Sequence, residues 1–376
     1  MSNNNNISIK KDKNIDPIKE YIKMNNIHAI VEQSGVQIPC GTNKKKKTID
    51  TQVIKQKVLN LLFNTTNNAH NYKHLPGAMP VTLLRKDIMT LITDKYWVLE
   101  KSDGVRHLLL IDTDSKGYLI DRAWNIKEIE DPNYINIKKV PVLLDGEVIM
   151  NETTKVEQYS MFDIISYNNT YYANQYLPIR HKAMSLFIQD YLKLKNISMP
   201  IQLKAFRPVK ELHQITDCIQ YDEKTNHYIY KDNKGRHNLN DGLVFIPVED
   251  DYFCKDKTMF KWKWLELNTI DCLIKNLFDN NTTLHFYVGG PNNSEIDFMQ
   301  TRFDHLNSIS KNYINQIKEL KLSQCIVECN IINSNCQIVG LRMDKNIANY
   351  IVTAKSTKQA IDDNILINEL IQLFKN

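Results

Sequence analysis

The stretch YWVLEKSDGVRHLLLI, residues 96–111, sets Lys101, Asp103, Gly104 and Arg106 between two runs of strand-forming residues. Cations at such a junction ordinarily point to solvent. Here they bracket an Asp-Gly pair, which reads as a sharp turn that reverses the chain and holds both cations over one cleft. Five further strand-like elements follow in order: LLDGEVI with Asp145 and Glu147, SMFDIISY with Phe162 and Asp163, DGLVFIP with Asp241, MFKWKW with Lys261 and Lys263, and GLRMDK with Arg342, Asp344 and Lys345. Each carries one or two charges. Pooled, they supply several cations and a few carboxylates, the inventory needed to hold a nucleoside triphosphate with a divalent metal.

The elements that must position these residues read as one large α+β domain and one small β-rich domain. At 376 residues the chain is long enough for two cores,. From about residue 65, short alternating strands and turns predominate, interrupted by a helix in which Met184, Phe187, Ile188, Tyr191 and Leu192 recur at helical spacing,. After Trp264 a second strand-rich region begins with DCLIKNL, and one helix is inserted near YINQIKEL. The chain closes on a sided helix that includes Ile365, Leu366, Leu370 and Phe374. Residues 1–55 are polar and rich in Lys and Asn. The run Lys44–Lys47 reads first as a solvated segment and second as a nuclear-import signal,.

Composition narrows the class. Hydrophobic residues make up 42% and charged residues 24%, as in ordinary globular proteins,. There is no run of about 18 apolar residues, so no membrane helix is predicted. The N-terminus lacks the apolar stretch of a signal peptide, so an intracellular protein is expected. Seven cysteines without C-x-x-C spacing argue against a disulfide framework,. Cys325, Cys329 and Cys336 read as buried thiols, and no histidines show paired spacing. A net charge of +5 fits a polyanion met in a local cleft better than a protein that coats nucleic acid,.

The ordered series EKSDGVR, DGEV, FDI, DGLVF, KWK and RMDK resembles the motifs of covalent nucleotidyltransferases. Within that superfamily it most resembles eukaryotic-type mRNA capping enzymes, the GTP:RNA guanylyltransferases. LPGAMPVTL, LIDRAWNIKEI, NTIDCLIKNL and the tail from IANYIVTAKS are similar to the same family, so the likeness covers about residues 70–376. It implies a nucleotidyltransferase domain of antiparallel sheets with flanking helices, over 56–264. An OB-fold over 265–352 would follow, then a C-terminal helix over 353–376 that packs back on the first domain.

The resemblance also implies the chemistry. Lys101 would attack the α-phosphorus of GTP, release pyrophosphate and form a Lys–GMP phosphoramidate. GMP would then pass to a 5′-diphosphate RNA end. The amine must be neutral to attack, and the cations Arg106, Lys261 and Lys263, with a metal, would favour that form. Asp241 and Glu147 would be ligands of Mg²⁺ or Mn²⁺, with Glu147 alternatively on the ribose. Arg106 and Arg122 would contact ribose or phosphate. Phe162 and Val244 would sandwich guanine, and Lys204 would reach its O6. Arg342 and Lys345 would meet the outer phosphates. One departure stands out: capping enzymes often carry an Arg two positions before the Arg of R-x-D-K, and this chain has Gly340 there.

Two other readings share part of this pattern. An ATP-dependent polynucleotide ligase shares the lysyl-nucleotide chemistry, but it usually carries Glu where DGLVF has Asp and has an extra DNA-encircling domain, which is not expected before residue 70. A catalytically dead scaffold on the same fold would have lost charged motif residues, and these are intact. No H-C-x-x-G-x-x-R loop and no pair of E-x-E strands is seen, since Glu128–Glu130 stands alone. A separate RNA 5′-triphosphatase is therefore the expected partner. By resemblance, the phosphorylated tail of RNA polymerase II is a further partner and the nucleus the expected location.

Overall fold

The structure, a computed structural model, describes residues 50–376 except 66–71, 73–74, 93–94, 115, 130–136, 138, 195–198, 255, 257, 276–281 and 376. The expected flexible segment up to residue 49, with its lysine run, lies outside the described residues. Helix α1 spans Thr51–Phe63, so residues 51–55 are helical where a flexible segment was expected. Asp50 caps it, accepting from the N–H groups of Gln52 and Val53 at 3.2 Å. Ile54, Val58, Leu59 and Leu62 bury one face,.

The strands that carry the site are β1 (Val81–Thr82), β2 (Tyr96–Ser102), β3 (Val105–Ile111), β4 (Gly117–Asp121), β5 (Val142–Met150), β6 (Glu157–Tyr167), β7 (His237–Pro247) and β8 (Phe260–Trp262). They form two sheets. In the first, β7 is central: β2 and β8 flank it antiparallel, and β1 adds parallel to β8. In the second, the antiparallel order runs β4, β3, β5, β6.

This arrangement corrects the expected turn at Asp103-Gly104. Strands β2 and β3 do not pair with each other; the two residues carry the chain from one sheet into the other. A two-residue hairpin of the Asn-Gly kind needs a positive φ, which Gly104 does not have,. Its missing side chain serves close approach instead, because a Cβ there would stand 2.5 Å from Ile149 Cγ2. Lys101 and Arg106 therefore belong to different sheets, and face one cavity because the sheets pack together.

Burial explains why β2 opens on an unbroken apolar run, residues 96–99. Leu99 joins a core built from the second sheet and helix α2 (Leu177–Tyr191), including Leu144, Met161 and Phe187. Val98 joins a core on the opposite face, with Leu243, Phe245 and Trp262. A strand buried on both faces reads as a continuous hydrophobic run.

The small domain holds β9 (Ile270–Lys275), β10 (Thr283–Gly289), β11 (Glu295–Arg302), β12 (Gln324–Ile332) and β13 (Asn335–Leu341), in the order β11-β10-β9-β12-β13. Helix α3 (Ser308–Glu319) lies between β11 and β12 in the chain. The edge strands meet where Cys336 N–H donates to Thr301 Oγ1 at 2.9 Å. That layout is consistent with a five-stranded OB barrel. Cys325, Cys329 and Cys336 are free and buried.

The C-terminus is two helices rather than the expected one, α4 (Ile351–Asp363) and α5 (Ile367–Lys375). Asn364 separates them in the left-handed conformation, a common helix stop,. Ala354 of α4 joins the small domain's core, while Leu370 and Phe374 of α5 join the core behind the first sheet. Trp262 Nε1–H donates to Ile365 O at 2.8 Å, tying the tail to β8.

Candidate active site

Lys101 is the penultimate residue of β2 and opposes Gly242 on β7. The register shifts between Asn240 and Gly242, so Asp241 sits in a β-bulge. Bulges of this kind re-aim one side chain. Here the Asp241 carboxylate forms ion pairs with Lys101 and, at 2.9 Å, with Lys263. Lys101 is 21% exposed, a half-buried strand residue beside the expected turn rather than part of it.

Gly242 is required for this bulge. Its φ is +130°, and a Cβ would lie 2.1 Å from Trp262 O. Gly242→Ala is expected to destabilise the protein by about 3 kcal/mol, from overpacking and backbone strain together. Thermal melts against wild type test this, and an unchanged midpoint would contradict the reading of the bulge.

The second sheet supplies the facing wall. Arg106 on β3 opposes Glu147 on β5 in register. Its guanidinium bonds Asp145 through Nε at 3.0 Å and Nη2 at 2.5 Å, and donates to Ala78 O at 2.8 Å. Burial works against the charge, but Asp145 and Tyr252 outweigh it and raise the pKa above the usual arginine value. The guanidinium also lies over the Phe162 ring, 5.4 Å from its centroid. Lys204 is buried, 2.8 Å from Glu147 and 3.5 Å from Glu100. Burial opposes its charge too, yet these carboxylates raise its pKa.

A cavity of about 250 Å³ brings together Lys101, Arg106, Arg122, Glu147, Phe162, Lys204, Val244 and Lys261. These come from both sheets and from positions over 150 residues of chain. Val244 opposes Leu99 on one side and Lys261 on the other. Burial, reinforced by Lys263 and Lys101, pushes the Lys261 pKa down to about 8. A phosphate placed there would relieve this crowding of positive charge.

Asp241 joins the site through its ion pair with Lys101, and Lys263 through its own pair with Asp241, rather than by lining the cavity. Arg342 and Lys345 do not line it either. Arg342 bonds Asp271 at 3.0 Å and Asp344 at 2.8 Å, and Lys345 pairs with Asp271. At Gly340 the nearest atom to an added Cβ is Glu328 Oε2 at 3.6 Å, so the position has room for a side chain.

Sequence reasoning missed three supporting residues. Glu100, 1% exposed, accepts from Ser102 Oγ at 2.8 Å and faces Lys204. Tyr252 donates its hydroxyl to Asp145 at 2.7 Å. Asn240 bonds both backbone groups of Gly242 and so holds the bulge. Glu100 adjoins Lys101 and was read only as part of the nucleophile stretch; nothing local marks Tyr252.

Among the described residues no three His, Cys, Asp or Glu side chains converge as a protein-only metal centre would require. The half-buried carboxylates of Asp241 and Glu147 fit a sparser scheme, in which Mg²⁺ takes one or two carboxylates together with substrate phosphates and water,.

Comparison with known proteins decides the family. The sequence profile of the "mRNA capping enzyme, catalytic domain" matches residues 34–265, and that of the "mRNA capping enzyme, C-terminal domain" matches 267–371. The chain belongs to the mRNA capping enzymes. This capping enzyme is 28% identical over 362 residues to the mRNA-capping enzyme subunit alpha of Schizosaccharomyces pombe, covering 86% of this chain and 84% of that protein. It is 25% identical to the mRNA-capping enzyme of Danio rerio, over 80% of this chain but 49% of that protein. Among solved structures, a mycobacterial DNA ligase D complexed with ATP and MES superposes with a TM-score of 0.40 at 14% identity, over 74% of this chain and 98% of that one. That superposition is too loose to bear on the choice between capping and ligation. As a capping enzyme with both domains, the chain is a nucleotidyltransferase, an mRNA guanylyltransferase.

Proposed function

We propose that Lys101 is the nucleophile that takes GMP from GTP as a phosphoramidate and passes it to the 5′-diphosphate end of RNA. The observation that carries this is the convergence on one cavity of a lysine, a stacking aromatic and several cations drawn from separate motifs. An amine attacks phosphorus only after losing its proton. In the structure the Lys101 amine is paired with Asp241, so it becomes available to phosphorus when that carboxylate turns to another cation,. Asp241, with Glu147, would hold Mg²⁺ or Mn²⁺ beside the nucleotide phosphates. When bound, that ion would neutralise phosphate charge.

Lys261 and Lys263 would meet the α-phosphate region, and Arg106 and Arg122 the ribose or phosphates. Phe162 and Val244 would hold the guanine between them, with Lys204 directed at O6. The expected partners are 5′-diphosphate RNA, a separate RNA 5′-triphosphatase and the phosphorylated tail of RNA polymerase II, all in the nucleus. The relative in Schizosaccharomyces pombe is named as a subunit alpha.

Guanine and adenine present opposite hydrogen-bonding patterns at position 6, and a site built for one leaves its buried partners unpaired with the other. With α-labelled nucleotide and metal, GTP is expected to label the protein through an acid-sensitive, alkali-stable bond, and ATP is not. Efficient labelling by ATP, together with sealing of nicked duplexes, would favour the ligase reading.

A further inference from the structure

We propose that Asn240 is a positioning residue that holds the nucleophile strand against the Asp241 bulge and links both to the tether of the small domain. The inference rests on Lys101 being the nucleophile. Asn240 is 3% exposed and uses its whole side-chain amide. Nδ2 donates to Lys101 O at 3.2 Å and to Gly242 O at 3.0 Å. Oδ1 accepts from Gly242 N–H at 3.0 Å and from Trp264 Nε1–H at 3.1 Å.

The first of these bonds grips the nucleophile's own carbonyl. The next two close a ring around Asp241, fixing the bulge that aims its carboxylate at Lys101. A bulge breaks the regular ladder and leaves backbone groups to be satisfied by other means. One side chain does so here on both strands. Asn240 itself does not line the cavity, so it acts only through its neighbours.

The fourth bond reaches outward. Trp264 follows Lys263 and begins the link Leu265–Asn268 to β9, with Asn268 Nδ2 donating to its carbonyl at 3.2 Å. Its ring stacks on Tyr228 at 3.9 Å, with planes 5° apart. The indole is therefore held by Tyr228, on the strand His227–Lys231 that pairs antiparallel with β7, and by Asn240. The start of the tether has a defined contact with the strand pair carrying Lys101 and Asp241.

Single-turnover labelling of the full chain with α-labelled GTP tests this. Asn240→Ala is expected to lower the maximal rate of adduct formation about tenfold to a hundredfold, the scale of a small misplacement of reacting groups. The GTP concentration giving half the maximal rate should stay within about twofold, because no lining residue is removed. Trp264→Phe keeps the stack and loses one neutral hydrogen bond, for an expected slowing of about threefold to tenfold. The double variant should be no slower than Asn240→Ala, since the two share one bond. A merely structural Asn240 would lower the melting temperature and leave the rate of the folded fraction unchanged, which overturns the proposal. So does a double variant slowed by the product of the two factors. If Asn240→Ala does not fold, Trp264→Phe decides alone, and a wild-type rate overturns the clamp. Mass-spectrometric mapping separates the premises. An adduct away from Lys101 overturns the nucleophile assignment and the clamp's role with it. An adduct on Lys101 with wild-type rates in both variants overturns the clamp alone.

Discussion

Lys101→Ala should yield a folded protein that takes up no GMP. The side chain makes one half-buried ion pair, and its partner Asp241 keeps Lys263 at 2.9 Å after the truncation. The stability cost is therefore small, about 1 kcal/mol or less. The chemical cost is complete, because no other group stands in the same place on β2. Lys101→Arg should fail equally: guanidinium remains protonated and cannot attack phosphorus. The measurement is covalent label from α-labelled GTP, alongside a thermal melt. A normal yield of adduct from either variant would remove Lys101 from the mechanism.

Arg342→Ala and Lys345→Ala should separate the two half-reactions. Both cations are now matched by carboxylates, Arg342 by Asp271 and Asp344, and Lys345 by Asp271. Serving a triphosphate, as the family resemblance implies for these two residues, would mean exchanging those carboxylates for phosphate oxygens. Removing one donor preorganised on developing charge typically costs ~2.7–4 kcal/mol in the transition state, so if the two cations meet the departing pyrophosphate, Lys–GMP formation should fall by about a hundredfold to a thousandfold. Once pyrophosphate has left, those phosphates are gone. Transfer from pre-formed Lys–GMP to diphosphate RNA should change far less. Normal GMP loading with impaired transfer would mean that the two residues track RNA instead. Gly340 makes this a demanding test, since the additional cation often found there is missing although the position has room for one.

Much of the architecture was legible because it follows from local pattern. Apolar runs between charged strand ends marked β2, β3, β5, β6 and β7. The shift after Trp264 marked a second strand-rich region, and helical spacing marked α2. The ordered motif series carried the family, since several short signals in a set order are far more specific than any one of them. Of the residues that meet in the cavity, Lys101, Arg106, Glu147, Phe162, Val244 and Lys261 stand in those motifs; Arg122 and Lys204 were named from stretches outside the series, and Tyr252 was not named at all.

What the linear pattern could not carry was partnership across the fold. Strand, Asp-Gly, strand is the local signature of a hairpin. Whether β2 and β3 pair depends on which other edges compete for them, and β7 and β5 take those edges. Pairing decides ionic partners as well. Lys101 rests on Asp241, Arg106 on Asp145, and Lys204 between Glu100 and Glu147. No spacing rule links such distant positions. The bulge at Asp241 is the sharpest case. DGLVFIP reads as a strand, but nothing local says that Asp241 bulges from it; it does so because Gly242 lets Trp262 O approach and Asn240 bonds the displaced backbone. Residue type supplied the chemistry available to this chain, and tertiary packing decided which charges stand within reach of one another.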